Sequence, residues 1–78
     1  MHIVTVYSKP DCSLCDEMEL VVRAVARRRR FKFEKKNILD DPALEEKYAE
    51  AIPVLTVDGN EIARYRVTAY ALEAALTE

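Results

Sequence analysis

The sequence predicts an α/β fold in the order β-α-β-α-β-β-α, with a central four-stranded mixed sheet flanked by three helices. Three observations predict it. The opening run Ile3-Val4-Thr5-Val6-Tyr7 is dense in β-branched and aromatic residues and nearly continuous in its apolarity, as a strand covered on both faces requires. From about Ser13 to Arg30 the apolar period changes to steps of three and four, the repeat of a helix face. In the second half, Asp58-Gly59-Asn60 supplies a tight-turn signal between two short strand patterns.

Taken in order, Ser8-Lys9-Pro10-Asp11 ends the first strand with turn-forming residues. The helix that follows aligns Leu14, Met18, Val21, Val22 and Val25 on one face. Asp16, Glu17 and Glu19 crowd its first turns, and Arg27 to Arg30 crowd its end, which complements the helix macrodipole at both ends. Phe31-Lys32-Phe33-Glu34-Lys35 alternates apolar with charged residues, as in a strand with one wet face. After a connection over Asn37 to Asp41, Asp41-Pro42 predicts a capped second helix running to about Glu50, with Leu44 and Tyr48 facing inward. Pro53 to Val57 is the third strand, and Glu61 to Tyr65 returns antiparallel as the fourth. Thr68 caps a last helix through Leu76. The first half is thus a βαβ unit with a parallel strand pair, and the second half adds a hairpin and a helix.

Seventy-eight residues leave room for one small domain over 1–78. With 50% apolar and 33% charged residues the composition is that of a globular protein, and a formal charge of −2 gives no reason to expect nucleic-acid or membrane-surface binding. No apolar run approaches the roughly 20 residues that a membrane span needs. The opening segment has no cationic leader and no small-residue cleavage site, so the expected location is the cytoplasm.

The chemistry concentrates in Cys12-Ser13-Leu14-Cys15, where the first strand gives way to the first helix. A thiolate attacks a disulfide sulfur, and the unpaired N–H groups of a helix opening favour that anion. Residues three apart share a helical face, so Cys15 can close a ring with Cys12 without unwinding the helix. Cys12 is expected at the accessible mouth as the nucleophile, with Cys15 one turn deeper as the resolving thiol. Lys9 favours the anion, whereas Asp11, Asp16 and Glu17 oppose it. Zinc is the alternative. Two cysteines are half of a tetrahedral set and His2 is the only histidine, so such a site needs a second chain. Cysteines without chemistry are the other alternative.

On these residues the chain resembles glutaredoxin-like members of the thioredoxin-fold superfamily, over essentially its whole length. The resemblance is carried by the opening strand, by Tyr7-Ser8-Lys9-Pro10-Asp11-Cys12-Ser13-Leu14-Cys15, by Ile52-Pro53-Val54-Leu55, by the Asp58-Gly59 hairpin and by the terminal helix. It implies a thioredoxin/glutaredoxin-like fold and a dithiol oxidoreductase that reduces protein or low-molecular-weight disulfides through a Cys12–Cys15 cycle, in electron transport and cell redox homeostasis. It implies that Pro53 is cis and packs beside the cysteines, and that the backbone of Ile52 pairs with an extended substrate as an added strand. Lys9 is placed near the thiolate and the carboxylate of glutathione, and Tyr7 at a position that tends to be aromatic. The implied working unit is a monomer with no tightly bound cofactor. Disulfide-bearing proteins or glutathione are its partners, and glutathione, another thiol or a reductase is its electron donor.

Two features depart from the family pattern. Ser13 and Leu14 replace both the proline–tyrosine and the glycine–proline pairs found between such cysteines. The Gly-Gly and acidic-pair motif that holds glutathione is absent, and the corresponding stretch reads Ile62-Ala63-Arg64-Tyr65-Arg66-Val67-Thr68, with Arg64 and Arg66 as its candidates for holding a carboxylate. Two functions from other classes compete with the redox reading. One is a binding module that holds peptide or glutathione along the Pro53 edge without turnover. The other is a carrier of metal or an iron–sulfur cluster ligated through Cys12.

Overall fold

The computed structural model describes residues 1–77; Glu78, the last residue of the expected domain, lies outside the described residues. Four strands, three α-helices and one 3-10 turn occur among them: β1 (His2–Ser8), α1 (Ser13–Ala26), β2 (Phe31–Asn37), the 3-10 turn Ile38–Asp40, α2 (Pro42–Tyr48), β3 (Val54–Val57), β4 (Asn60–Arg64) and α3 (Ala69–Ala75). The sheet order is β2-β1-β3-β4, with β1 parallel to β2 and antiparallel to β3, and β3 antiparallel to β4. This is the α/β thioredoxin-like arrangement with a four-stranded mixed sheet and three helices.

Alternation along β1 sends its residues to two different cores. Val4 and Val6 face α1 and α3, in a cluster with Met18, Val22 and Val25 of α1, Leu55 and Val57 of β3, and Leu72 of α3. Tyr7 points to the other face, where its ring lies 4.9 Å from that of Tyr48 on α2. There a second cluster gathers Cys15, Ile38, Tyr48, Ala51, Ile52 and Val54. The cysteines therefore belong to the smaller core, at the end of the sheet where α1 begins. Coverage of the α2 face is incomplete, and Ile3 is 42% exposed although its strand read as buried on both sides.

Local chemistry explains most element ends. Asp41 caps α2 by accepting from the Ala43 N–H at 2.9 Å, with Pro42 in the first turn, and the Thr68 hydroxyl accepts from the Ala71 N–H at the start of α3. Asp58 (φ 53°) and Gly59 (φ 85°) both adopt the left-handed region, as a two-residue hairpin turn requires, and β4 begins at Asn60, one residue earlier than expected. Asp58 also accepts from the Ile3 N–H and pairs with His2, which together hold its carboxyl below the usual range.

Other boundaries also differ from the sequence reading. Helix α1 stops at Ala26 rather than Arg30, where the Arg27 and Arg28 N–H groups turn back three residues to the Ala24 and Val25 carbonyls. The freed side chains of Arg28 and Arg29 then pair with Glu73 on α3, so the arginine run ties two helices together. Helix α2 stops at Tyr48, where the Ala51 N–H returns to the Tyr48 carbonyl. Ser8, taken as turn, is instead the last residue of β1, in register with Asn37 of β2 and only 2% exposed.

Candidate functional site

Asp11, at φ 58°, turns the chain out of β1, and Cys12 follows in an extended conformation as the N-cap of α1. Aspartate tolerates the left-handed region better than most side chains. The cap is made by sulfur. The Cys15 N–H donates to Cys12 Sγ at 3.1 Å, and the Asp16 N–H donates to the Cys12 carbonyl at 3.1 Å. One of the helix's orphan donors is thereby aimed at the outer sulfur.

Cys12 and Cys15 form a disulfide across a Cα–Cα distance of 5.2 Å. Cys15 is 1% exposed, whereas Cys12 is half-buried. This is the division expected of a pair one helical turn apart at a loop-to-helix mouth. Ile52 packs in the same apolar cluster as both cysteines, and the Ile52–Pro53 bond is cis. Pro53 is fully buried, and β3 starts at the next residue. Among the described residues, no backbone hydrogen bond engages the N–H or C=O of Ile52.

Lys9 stands apart from this group. It is exposed, its side chain makes no hydrogen bond or ion pair among the described residues, and it lines a hollow on the β2 side of Cys12. The two arginines considered for holding a carboxylate are already engaged: Arg64 pairs with Glu61 of its own strand, and Arg66 pairs with Glu17 of α1 at 3.2 Å. Among the described residues no group of three or more His, Cys, Asp or Glu side chains is placed to hold a metal ion, and no helix is long and apolar enough to cross a membrane.

Tyr65 matters to the site and was not singled out from the sequence beyond its place in a strand. It has φ 68°, its N–H donates to the Pro53 carbonyl at 2.8 Å, and its hydroxyl donates to the Glu50 carbonyl at 2.8 Å. One side chain and its own backbone thus brace both ends of the segment that carries Ile52. A tyrosine in the left-handed region has no sequence signal, so pattern reading had no means of finding it.

The parallel βαβ start, the cysteine pair at the helix opening and the cis proline entering the antiparallel hairpin define a thioredoxin-fold domain with a CXXC disulfide. The chain belongs to the glutaredoxin-like domain family (DUF836), whose model matches residues 3–77. Among solved structures it is similar to a structural-genomics protein from X. campestris, at 38% identity and a TM-score of 0.71, over 94% of this chain and 93% of that one. It is also similar to a Nitrosomonas europaea protein solved in solution, with a TM-score of 0.82 at 26% identity, over 95% of this chain and 89% of that one. A thioredoxin variant from Halobacterium salinarum shares the fold, with a TM-score of 0.68 at 21% identity, over 95% of this chain and 70% of that one. No curated protein sequence matches the chain.

Proposed function

We propose that this protein is a small dithiol oxidoreductase that reduces protein or low-molecular-weight disulfides, with Cys12 as nucleophile and Cys15 as resolving thiol. The observation that carries the reading is the bonded pair at the opening of α1, with a half-buried outer sulfur that accepts the Cys15 N–H and an inner sulfur closed off from solvent. The oxidised pair is one end of the cycle. Two thiols reduce it by exchange, each losing one electron and one proton as they form their own disulfide. Glutathione, another low-molecular-weight thiol or a reductase fills that role.

In the reduced protein the Cys12 thiolate is favoured by the helix opening and by the N–H that already points at its sulfur. It attacks one sulfur of a substrate disulfide, the substrate S–S bond breaks, and the departing thiolate takes up a proton. Cys15 then loses its proton and attacks Cys12 Sγ. The mixed disulfide breaks, the second substrate thiol leaves, and the Cys12–Cys15 bond returns. Two electrons and two protons have passed to the substrate. The unengaged backbone of Ile52 beside buried Pro53 supports its use as the edge on which an extended substrate pairs. We assign the protein to the cytoplasm as a monomer with no tightly bound cofactor.

Comparison of Cys12→Ser with Cys15→Ser tests the mechanism in a disulfide-reductase assay. Cys12→Ser is expected to abolish turnover, and Cys15→Ser to accumulate a mixed disulfide visible by mass spectrometry. Equal and undiminished activity in both variants rules the mechanism out.

A further inference from the structure

Beside the nucleophile, on the side away from Pro53, the structure has a hollow of about 320 Å³ where the parallel strands β1 and β2 end and α1 begins. Crevices at the carboxyl ends of parallel strands are the usual ligand positions in open α/β sheets. Asp11, Asp16 and Asp40 line it together with Lys9 and Lys35. Lys35 is held by Glu19 at 2.8 Å, so Lys9 alone stands against three carboxylates. Its volume is at the small end for ligand sites, which suits a single side chain rather than a cofactor.

A second observation at the same place is independent of these charges. Ser8 lines the hollow, is 2% exposed, and its hydroxyl makes no hydrogen bond among the described residues. No fully enclosed side-chain polar atom among them lacks a partner, so the unpartnered Ser8 hydroxyl retains a little solvent access. A buried hydroxyl normally finds a partner, and one left open in an acidic recess has lone pairs free to accept from a cationic donor. Asp11 precedes Cys12, and the Asp16 N–H is bonded to the Cys12 carbonyl, so two of the lining residues adjoin the nucleophile's own backbone.

The geometry points to a subsite for the cationic side chain, lysine or arginine, of a polypeptide disulfide whose cysteine is attacked by Cys12. This deepens the proposed function and rests on it. The ammonium or guanidinium group is the donor that Ser8 lacks, and the three carboxylates supply its counter-charge. Arg64 and Arg66 point the same way, because both already hold protein carboxylates and leave no uncommitted cation in that segment for an anionic substrate.

The test uses the full chain and three end-blocked peptide disulfides, identical except that the residues flanking cysteine are lysine, serine or glutamate. The expected kcat/KM ratio of lysine to glutamate peptide is roughly tenfold at low salt, from several rim charges acting together. It is expected to shrink toward one in about 1 M salt, where screening is nearly complete. In an Asp16→Asn/Asp40→Asn variant the ratio falls several-fold. Taking a ratio removes any change in the thiolate itself, because both peptides meet the same sulfur. Ser8→Ala lowers the rate with the lysine peptide and leaves that with the serine peptide unchanged. Equal rates for the lysine and glutamate peptides overturn the subsite and leave the reductase reading intact, whereas no turnover of any peptide overturns the reductase reading. In that second case a titration of a Cys12→Ser/Cys15→Ser variant with the reduced, S-methylated lysine peptide decides the subsite alone. Chemical-shift changes centred on Ser8, Asp16 and Asp40 support it, and their absence overturns it.

Discussion

Removal of the Tyr65 hydroxyl, in Tyr65→Phe, tests whether the brace on the Ile52–Pro53 segment governs substrate binding. The variant deletes the bond to the Glu50 carbonyl and keeps both the ring and the backbone bond from the Tyr65 N–H to Pro53. A hydrogen bond between neutral groups contributes about 0.5–1.5 kcal/mol net. Tyr65 is 46% exposed, so water partly replaces the lost bond and the lower half of that range applies. For a domain of this size about 1 kcal/mol moves the melting midpoint by roughly 4–8 °C, so the expected fall is about 2–8 °C. With Glu50 released, the backbone of Ile52 is less well positioned, and KM for a peptide disulfide rises. Alkylation of reduced Cys12 by a small reagent stays at the parent rate, because that reagent needs no added strand. Tyr65→Gly separates the two roles of the residue. It loses the same bond but relieves a left-handed conformation that costs an L-residue roughly 1–2 kcal/mol, so its midpoint is expected to lie no lower than that of Tyr65→Phe despite the missing ring. A Tyr65→Phe protein with unchanged midpoint and unchanged KM refutes the brace.

Further outcomes follow from the two cores and their charges. Leu72, with no exposed surface, joins α3 to α1 and the sheet, so Leu72→Ala is expected to lose about 2–5 kcal/mol in urea denaturation, a large share of the stability of so small a domain. Glu19 is held below its ordinary value of 4.5 by its hydrogen bonds to Lys35 and Arg23. A lowered folded value means that its contribution is present above about pH 4.5 and fades as pH falls through the lowered value. Glu19→Gln should therefore melt below the parent by under about 1 kcal/mol at neutral pH and converge on it in strong acid, as followed by thermal melts across pH.

The order of elements could be read from the sequence because each has its own period: alternation over Phe31–Lys35, steps of three and four from Leu14 to Val25, and the Asp-Gly turn. What the sequence did not show was long-range. Nothing local in Arg27–Arg30 says that Arg28 and Arg29 will leave the helix for Glu73, an acceptor more than forty residues on, so the helix read four residues too long. Ser8 looked like turn because its neighbours Lys9-Pro10-Asp11 are turn formers, yet pairing with Asn37 across the parallel ladder keeps it in the strand. The site divides in the same way. Cys12 and Cys15 stand out by spacing alone, and Ile52–Pro53 stood out through resemblance. Tyr65, the hollow beside Ser8 and the committed states of Arg64 and Arg66 depend on which distant side chains meet, and a one-dimensional pattern does not record that.

The Cys12 sulfur, the nucleophile of the proposed cycle, is also the atom that closes the first turn of α1. A bulky adduct on it, whether a trapped substrate or an alkylating agent, pulls the acceptor away from the Cys15 amide and leaves that donor to find water. Order in the first helical turn and the covalent state of Cys12 are therefore one coupled variable, and amide protection at Cys15 reads the progress of turnover without touching the substrate.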